Sequence, residues 1–382
     1  FYIDNRQISN GEFGGGLSDD DDFTNMFVGS AFMGIEPEKI QESLRIFLEA
    51  YYDQDRDSYD ASLRQRSLPL FTNGLSTIKA DELHSCEEGI EAVGQLMMID
   101  YGNPLYFSRG MEIAKRMLED VTQIAPDGHR HFRSRNYSGT DFSIEDPWQW
   151  SQNYSYLVLQ TAYLVARYNG NPALFNMLVE IADGLLAHRD EDGNVYTEIH
   201  FNTGEVRGKS GVGRTWPVFM AAYEFTGDNK YLEVIPEKNI KTREFNKDSI
   251  VSFYTNQIKE KGVKLYIETE GSTWIDRINR DEPLMQEHRL GGVALVRANH
   301  IYQQNYVSWN IIQPATFESL ALFLPKANST NIDIIAYNLE QNSVKADMTL
   351  WDIKPGLWRV RQGLDTNDDQ QIDTEITERI VY

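Results

Sequence analysis

A single cysteine, Cys86, occurs in 382 residues, so no intrachain disulfide can form. That usage fits a reducing compartment, and equally an exported bacterial protein that never relied on disulfides. No apolar run reaches the ~18 residues that mark a membrane-spanning helix, so none is expected. Basic residues are scarce: 36 Lys and Arg stand against 58 Asp and Glu, for a formal charge of −22. That balance excludes a nucleic-acid binder, which needs a basic footprint for phosphates, and argues against an anionic membrane surface. It leaves an anionic substrate open, because a local Arg/His pocket can hold one inside an acidic protein. A signal peptide is missing, the chain starts at Phe1, and it stops in Ile380-Val381-Tyr382. The expectation is a mature or cut portion of a longer protein.

What the sequence does contain is core material and aromatic rings. Hydrophobic residues make up 41% and aromatics 12%, with 20 Tyr and 7 Trp. Length suggests two or three domains. Residues 1–10 alternate enough for a strand, and the run Gly14-Gly15-Gly16 followed by Asp19-Asp20-Asp21-Asp22 reads as a loop, giving an N-terminal segment over 1–35. Helical periodicity begins at Pro37, with Ile40, Leu44, Phe47 and Leu48 on one face, and returns over 87–100, 104–121, 153–168, 172–188 and 214–225. Three junctions repeat one device: Gly102-Asn103-Pro104, Gly170-Asn171-Pro172 and Gly227-Asp228-Asn229. Glycine closes one helix in a left-handed cap, and Asn or Asp caps the next. A repeated α-hairpin is the unit of a toroid or solenoid. The reading is an incomplete α/α toroid over 36–284, then an antiparallel β-sheet or sandwich over 285–382, with strands at 291–297, 332–337 and 348–351.

The inter-helix loops hold the chemistry-bearing residues. The loop from Asp127 to Gly139 carries His129, His131, Arg130, Arg133, Arg135, Asn136 and Tyr137 in an otherwise acidic chain. Cleaving a uronic-acid glycan by β-elimination needs a neutralised carboxylate, a base for the α-proton and an acid for the leaving oxygen. Arg and Asn suit the first task, His or Tyr the second, Tyr the third. A solvated loop paired with nearby acids is the competing reading. His84 and Glu88 form a second cluster, with a capping box from Ser85 to Glu88 as its structural alternative. Trp148, Trp150 and Tyr154 form a third, and Arg214 with Trp216 a fourth; the tryptophans suit sugar stacking or plugging of the helix bundle. Asp365, Asn367, Asp369 and Asp373 repeat the first, third, fifth and ninth positions of a calcium loop, but Gln370 and Ile376 stand where Gly and Glu belong. Calcium is therefore a candidate ion there, and an acidic hairpin the favoured alternative.

Helix pairs punctuated by Gly-Asn-Pro and Thr-Gly-Asp, long aromatic loops and a following β region resemble the α/α-toroid polysaccharide lyases and related exported glycan-degrading proteins of Bacteroidetes. Residues 10–22, 81–89 and 289–295 resemble stretches of large members of that group. The resemblance implies a secreted, periplasmic or cell-surface lyase with a polysaccharide or oligosaccharide substrate and no required cofactor. It implies a His and Tyr pair acting with Arg and Asn. Asp127, Gly128, His131, Tyr137 and Gly139 loosely match the family pattern. On that reading Arg133, Arg135 and Asn136 hold the uronate, His131 is the base, Tyr137 the acid or alternative base, and Trp148, Trp150 and Trp216 the sugar platform. His84, Glu88, Tyr154 and Arg214 complete the substrate pocket. Two other readings stand beside it. One is a glycoside hydrolase, whose paired carboxylates ~5–9 Å apart would come from Glu87, Glu88, Asp146 or residues 19–22. The other is a non-catalytic glycan-binding protein.

Overall fold

Proline-initiated helices and glycine-closed turns dominate the first two thirds of the chain. The computed structural model describes residues 2–13, 24, 26–52, 71–72, 74–76, 79–85, 90–151, 153–196, 198–208, 215–236, 252, 283–294, 303–367 and 369–382. Helices α1 Tyr2–Asn5, α2 Met26–Phe32 and α3 Pro37–Tyr52 come first. The short α4 Glu82–Ser85 follows, then α5 Glu91–Ile99 and α6 Pro104–Arg116, which runs into a π turn Met117–Val121. A 3-10 turn Asn153–Leu159 leads into α7 Gln160–Asn169, then α8 Pro172–Ala187 and α9 Trp216–Thr226, with a 3-10 turn at Asn229–Val234 and α10 Pro283–Leu290 later. Ile40, Leu44, Phe47 and Leu48 of α3 are at most 5% exposed, as the helical period requires.

The three repeated junctions fold as their residues dictate. Gly102, Gly170 and Gly227 take φ of +92°, +66° and +69°. Asn103 accepts from the Leu105 amide at 3.0 Å, Asn171 from Ala173 at 2.9 Å and Asp228 from Lys230 at 3.0 Å. Each cap satisfies a helix N–H that would otherwise lack a partner. The helices then pack in chain order, α3 on α5, α5 on α6, α6 on α7, α7 on α8 and α8 on α9. The described residues do not close this row into a ring.

Seven antiparallel two-stranded ladders complete the described structure. They pair β1 Phe71–Thr72 with β2 Leu75–Ser76, β3 Ala80–Asp81 with β6 Asn136–Tyr137, β4 Thr122–Ile124 with β5 Arg130–Phe132, and β7 Glu198–Ile199 with β8 Val206–Arg207. C-terminally, β9 Val307–Ile311 pairs with β12 Ala346–Leu350, β10 Leu320–Asn328 with β11 Asn331–Asn338, and β13 Trp358–Leu364 with β14 Thr374–Val381.

Four expectations change. The strand expected over 1–10 is the helix α1 and a turn, with Tyr2 and Ile3 packed on the core. The boundary at 285 falls inside α10. Residues 291–294 form no strand: Gly291 has φ +74°, and a Cβ on Gly292 would come within 2.8 Å of the Gln304 carbonyl carbon, so two backbones cross there. The C-terminal ladders begin at Val307 instead. The N-terminal segment is not separate either, because Phe27–Met33 and the strand residues Val307, Trp309 and Leu324 share one core. Arg289 joins them, donating from Nε to the Met33 carbonyl at 2.9 Å and from a terminal nitrogen to the Leu320 carbonyl at 3.1 Å.

Beside it, His288 is 3% exposed and edge-on to Phe323 at 5.9 Å. Burial pushes its imidazole down to about 4. The unfolded chain therefore takes up a proton near pH 6.5 that the native chain refuses until about pH 4. The stability contributed by this refusal to charge is intact above pH 6.5 and is lost as pH falls through that window. Urea unfolding at pH 7 and pH 4.5 should show the wild type losing about 2–3 kcal/mol more than His288→Gln. Equal losses in the two proteins would remove His288 from the account.

Candidate functional site

The loop from β4 to β6 is pinned by its own backbone. Asp127 shapes the turn: Ala125 N donates to His129 O at 2.7 Å, and His129 N donates to Asp127 Oδ1 at 2.9 Å. Side chains then alternate across β5. Arg130 is absorbed structurally, with its Nε on Glu180 at 2.6 Å and a terminal nitrogen on the Leu118 and Thr122 carbonyls, both at 3.0 Å. His131 points the other way and is 4% exposed. Its Nε2 lies 3.1 Å from Asp127 Oδ2, and His188, from the end of α8, places its own Nε2 3.2 Å from the same oxygen. Burial pushes His131 down to about 4, with Asp127 opposing the drop and His188 adding to it. Burial also acts to raise the Asp127 carboxyl, but the His129 amide and His131 outweigh it and hold it below its usual range.

Beyond β5 the chain bends, and Arg133 and Arg135 separate from His131. The Arg133 guanidinium lies 4.7 Å from the Phe142 ring centre and that of Arg135 5.1 Å from Trp148. Among the described residues neither forms an ion pair, and the Nε of each is buried without a hydrogen-bond partner. Two guanidiniums lacking carboxylates stand out in a chain of charge −22. Asn136 is engaged locally, its Oδ1 accepting from the Ser143 hydroxyl at 2.9 Å. Tyr137 is 1% exposed and stacks on Phe142 at 5.7 Å.

The β3–β6 ladder sets Asp81 opposite Asn136, one residue from Arg135. Asp81 Oδ1 accepts from the His84 amide at 3.0 Å and faces His84 Nδ1 at 2.7 Å. That contact fixes a tautomer with the proton on Nδ1, on a ring that is exposed to solvent. Asp81 caps the short α4, of which Ser85 is the buried last residue. Glu88, its proposed capping partner, lies outside the described residues, as do Glu87, residues 19–22 and Arg214.

Trp148 and Trp150 are half-buried. Trp150 stands edge-on to His200 at 5.0 Å, and the Arg207 guanidinium lies 4.1 Å from the Trp150 ring centre. Thr203 N donates to His200 Nδ1 at 3.2 Å, so Nε2 carries the proton toward Asp146 Oδ1 at 3.1 Å. Arg135 thus lies over Trp148 and Arg207 over Trp150. Trp216 packs against the core, and the side chain of Tyr154 lies outside the described residues. A pocket of about 270 Å³ walled by Tyr101, Phe107, Tyr168 and Trp351 is lined by none of the sequence-selected residues.

The acidic hairpin between β13 and β14 uses its oxygens on itself. Asp365 accepts from the amides of Asn367, Asp369 and Gln370. Asn367 accepts from Asp369 N, and Asp369 from Gln371 N. Asp373 accepts from the Thr366 amide and hydroxyl, both at 2.6 Å, which hold its carboxyl below the usual range. These acids form no convergent cluster among the described residues, where Asp127, His131 and His188 do.

Sequence reasoning missed His188, His200 and Arg207. Each is distant in sequence from its partner, and only the docking of α8 and of the β7–β8 hairpin brings them in. A comparison with protein-family models, with curated proteins and with solved structures gave no match for this chain.

Proposed function

We propose that this protein is a carbohydrate-active enzyme that cleaves a uronic-acid-containing glycan by β-elimination, on a helical row that is part of an α/α toroid. The observation that carries the reading is the pair Arg133 and Arg135, set over aromatic rings without carboxylate partners among the described residues. A substrate carboxylate would supply the missing counter-charge, and a sugar ring would lie on Trp148 and Trp150. Guanidiniums neutralising the carboxylate make the neighbouring C–H acidic.

His84 is placed better than His131 for the base. His131 is buried against Asp127 and His188, and Tyr137 is buried in the ladder, whereas His84 is exposed and oriented by Asp81. In the proposed step His84 Nε2 removes the C5 proton. The electron pair forms the C4–C5 double bond, the C4–O4 bond breaks, and the protonated imidazole returns its proton to O4.

The test is ultraviolet absorbance during incubation with a panel of uronate-containing glycans, run beside a reducing-end assay. Rising absorbance from an unsaturated uronate, together with new reducing ends, is the expected outcome. Reducing ends without absorbance would replace elimination with hydrolysis by paired carboxylates. Saturable binding of these glycans with neither signal would make the protein a non-catalytic binder.

A further inference from the structure

The β4–β5 turn and the end of α8 build a second constellation that the proposed elimination does not use. Asp127 Oδ1 is committed to the His129 amide at 2.9 Å, which leaves Oδ2 directed at two imidazoles. His131 Nε2 stands 3.1 Å from Oδ2 and His188 Nε2 3.2 Å, and the three ligand atoms lie within 4.8 Å of one another.

Hydrogen bonding fixes what His188 can offer. Its Nδ1 lies 2.8 Å from the Gly184 carbonyl oxygen, which can only accept, so the proton sits on Nδ1. When the ring is neutral, its Nε2 lone pair faces a carboxylate lone pair across 3.2 Å, a repulsive contact. A cation between them turns that repulsion into coordination. A backbone carbonyl holding one imidazole nitrogen while the other meets a metal is the usual outer-shell arrangement of a histidine ligand. Tetrahedral bonds of ~2.0–2.1 Å give ligand–ligand edges of about 3.3 Å, close to the 3.1 and 3.2 Å seen here.

Two glycines shape the surroundings. A Cβ on Gly184 would come within 2.9 Å of the Arg130 carbonyl oxygen and 3.0 Å of His131 Cε1, so glycine lets α8 close on β5. Gly204, at φ +69°, places its bare Cα over the triad: a Cβ there would lie 3.5 Å from Asp127 Oδ2 and 3.6 Å from His188 Nε2. Glycine there lets the backbone lie close over the triad without a side chain.

We infer that Asp127, His131 and His188 form a binding site for a divalent transition-metal ion of the zinc class. Two imidazoles and one carboxylate are borderline donors suited to such ions rather than to calcium or magnesium. With three protein ligands the ion keeps one position for water or a small ligand.

The test uses the full chain, stripped with a chelator and desalted. It is titrated with zinc chloride by calorimetry and with cobalt chloride by visible absorbance. One equivalent of zinc should bind, and cobalt should give the intense bands of a low-coordinate site. Asp127→Asn and His188→Gln should each weaken zinc binding by about 100-fold or more. His129→Ala, with its ring centre 6.0 Å from that of His188, should leave binding unchanged. Circular dichroism and a cooperative melt check that each variant is folded, and Asp127→Asn decides alone if His188→Gln does not fold. Absence of zinc uptake by the wild type overturns the inference. So does uptake that the folded variants keep, or a nitrogen-15 spectrum of the zinc-treated protein showing both His188 nitrogens protonated.

Discussion

Arg135→Ala is expected to lower kcat/KM on a uronate-containing glycan by about 100- to 1000-fold, the usual cost of removing a group that stabilises developing charge. Its stability to urea should barely move. The guanidinium makes no ion pair among the described residues, and its contact with Trp148 at 5.1 Å is a cation–π interaction worth about 0.5–1 kcal/mol at a partly exposed site. Activity and stability therefore separate at this position. Arg135→Lys should fall between the wild type and Ala, because it keeps the charge and loses the planar fork that matches a carboxylate. Steady-state kinetics on a substrate from the absorbance screen, beside urea unfolding, checks both halves. If the alanine variant kept its activity, the carboxylate would have to be held elsewhere.

Gly11→Ala is expected to cost about 2–5 kcal/mol of stability. Two effects add. Gly11 has φ +93°, a left-handed conformation that costs an L-residue about 1–2 kcal/mol. A Cβ there would also collide with Phe47 Cα and come within 2.6 Å of its nitrogen. That obstacle is the backbone of α3, which no side-chain rotation relieves, and overpacking adds about 1–3 kcal/mol. Gln7 reinforces the contact, donating from Nε2 to the carbonyls of Gly11 and Ser43, both at 3.0 Å. Gly102→Ala isolates the first effect, since Gly102 has φ +92° and nothing within 4 Å of its Cβ position. It should cost only about 1–2 kcal/mol. Equal urea midpoints for the two variants would contradict the proposed clash with Phe47.

The legible parts of this fold were those decided within a few residues. At Gly170-Asn171-Pro172 the left-handed glycine, the capping oxygen and the proline ring act on their own neighbours, so no distant contact was needed to read the junction. The run Gly291-Gly292-Val293-Ala294 misled for the opposite reason. Its composition suits a strand, but Gly292 serves a crossing with the backbone at Gln304 and Gly291 a close approach to Ala327, which local sequence does not encode. The candidate site divides in the same way. Arg135 and Trp148 belong to one loop and were visible together. The bend after Phe132 sent His131 to a different set of partners, and His188 meets it only because α8 docks on β5. His84 belongs to a cluster read from the sequence, yet the contact with Asp81 that orients its ring depends on the turn between them.

The hydrogen bond from Arg289 to the Met33 carbonyl joins residues 256 positions apart. On a ribosome adding ~5–20 residues per second, α2 would emerge roughly 10–50 s before this partner exists. During that interval Phe27, Val28 and Phe32, at most 6% exposed in the finished structure, lack the strands that finally cover them. Sequences this far apart make the last third of the chain a completion step, so interrupted synthesis would release a helical intermediate with an open apolar face. Such a species is a natural client for a chaperone that holds chains until translation ends.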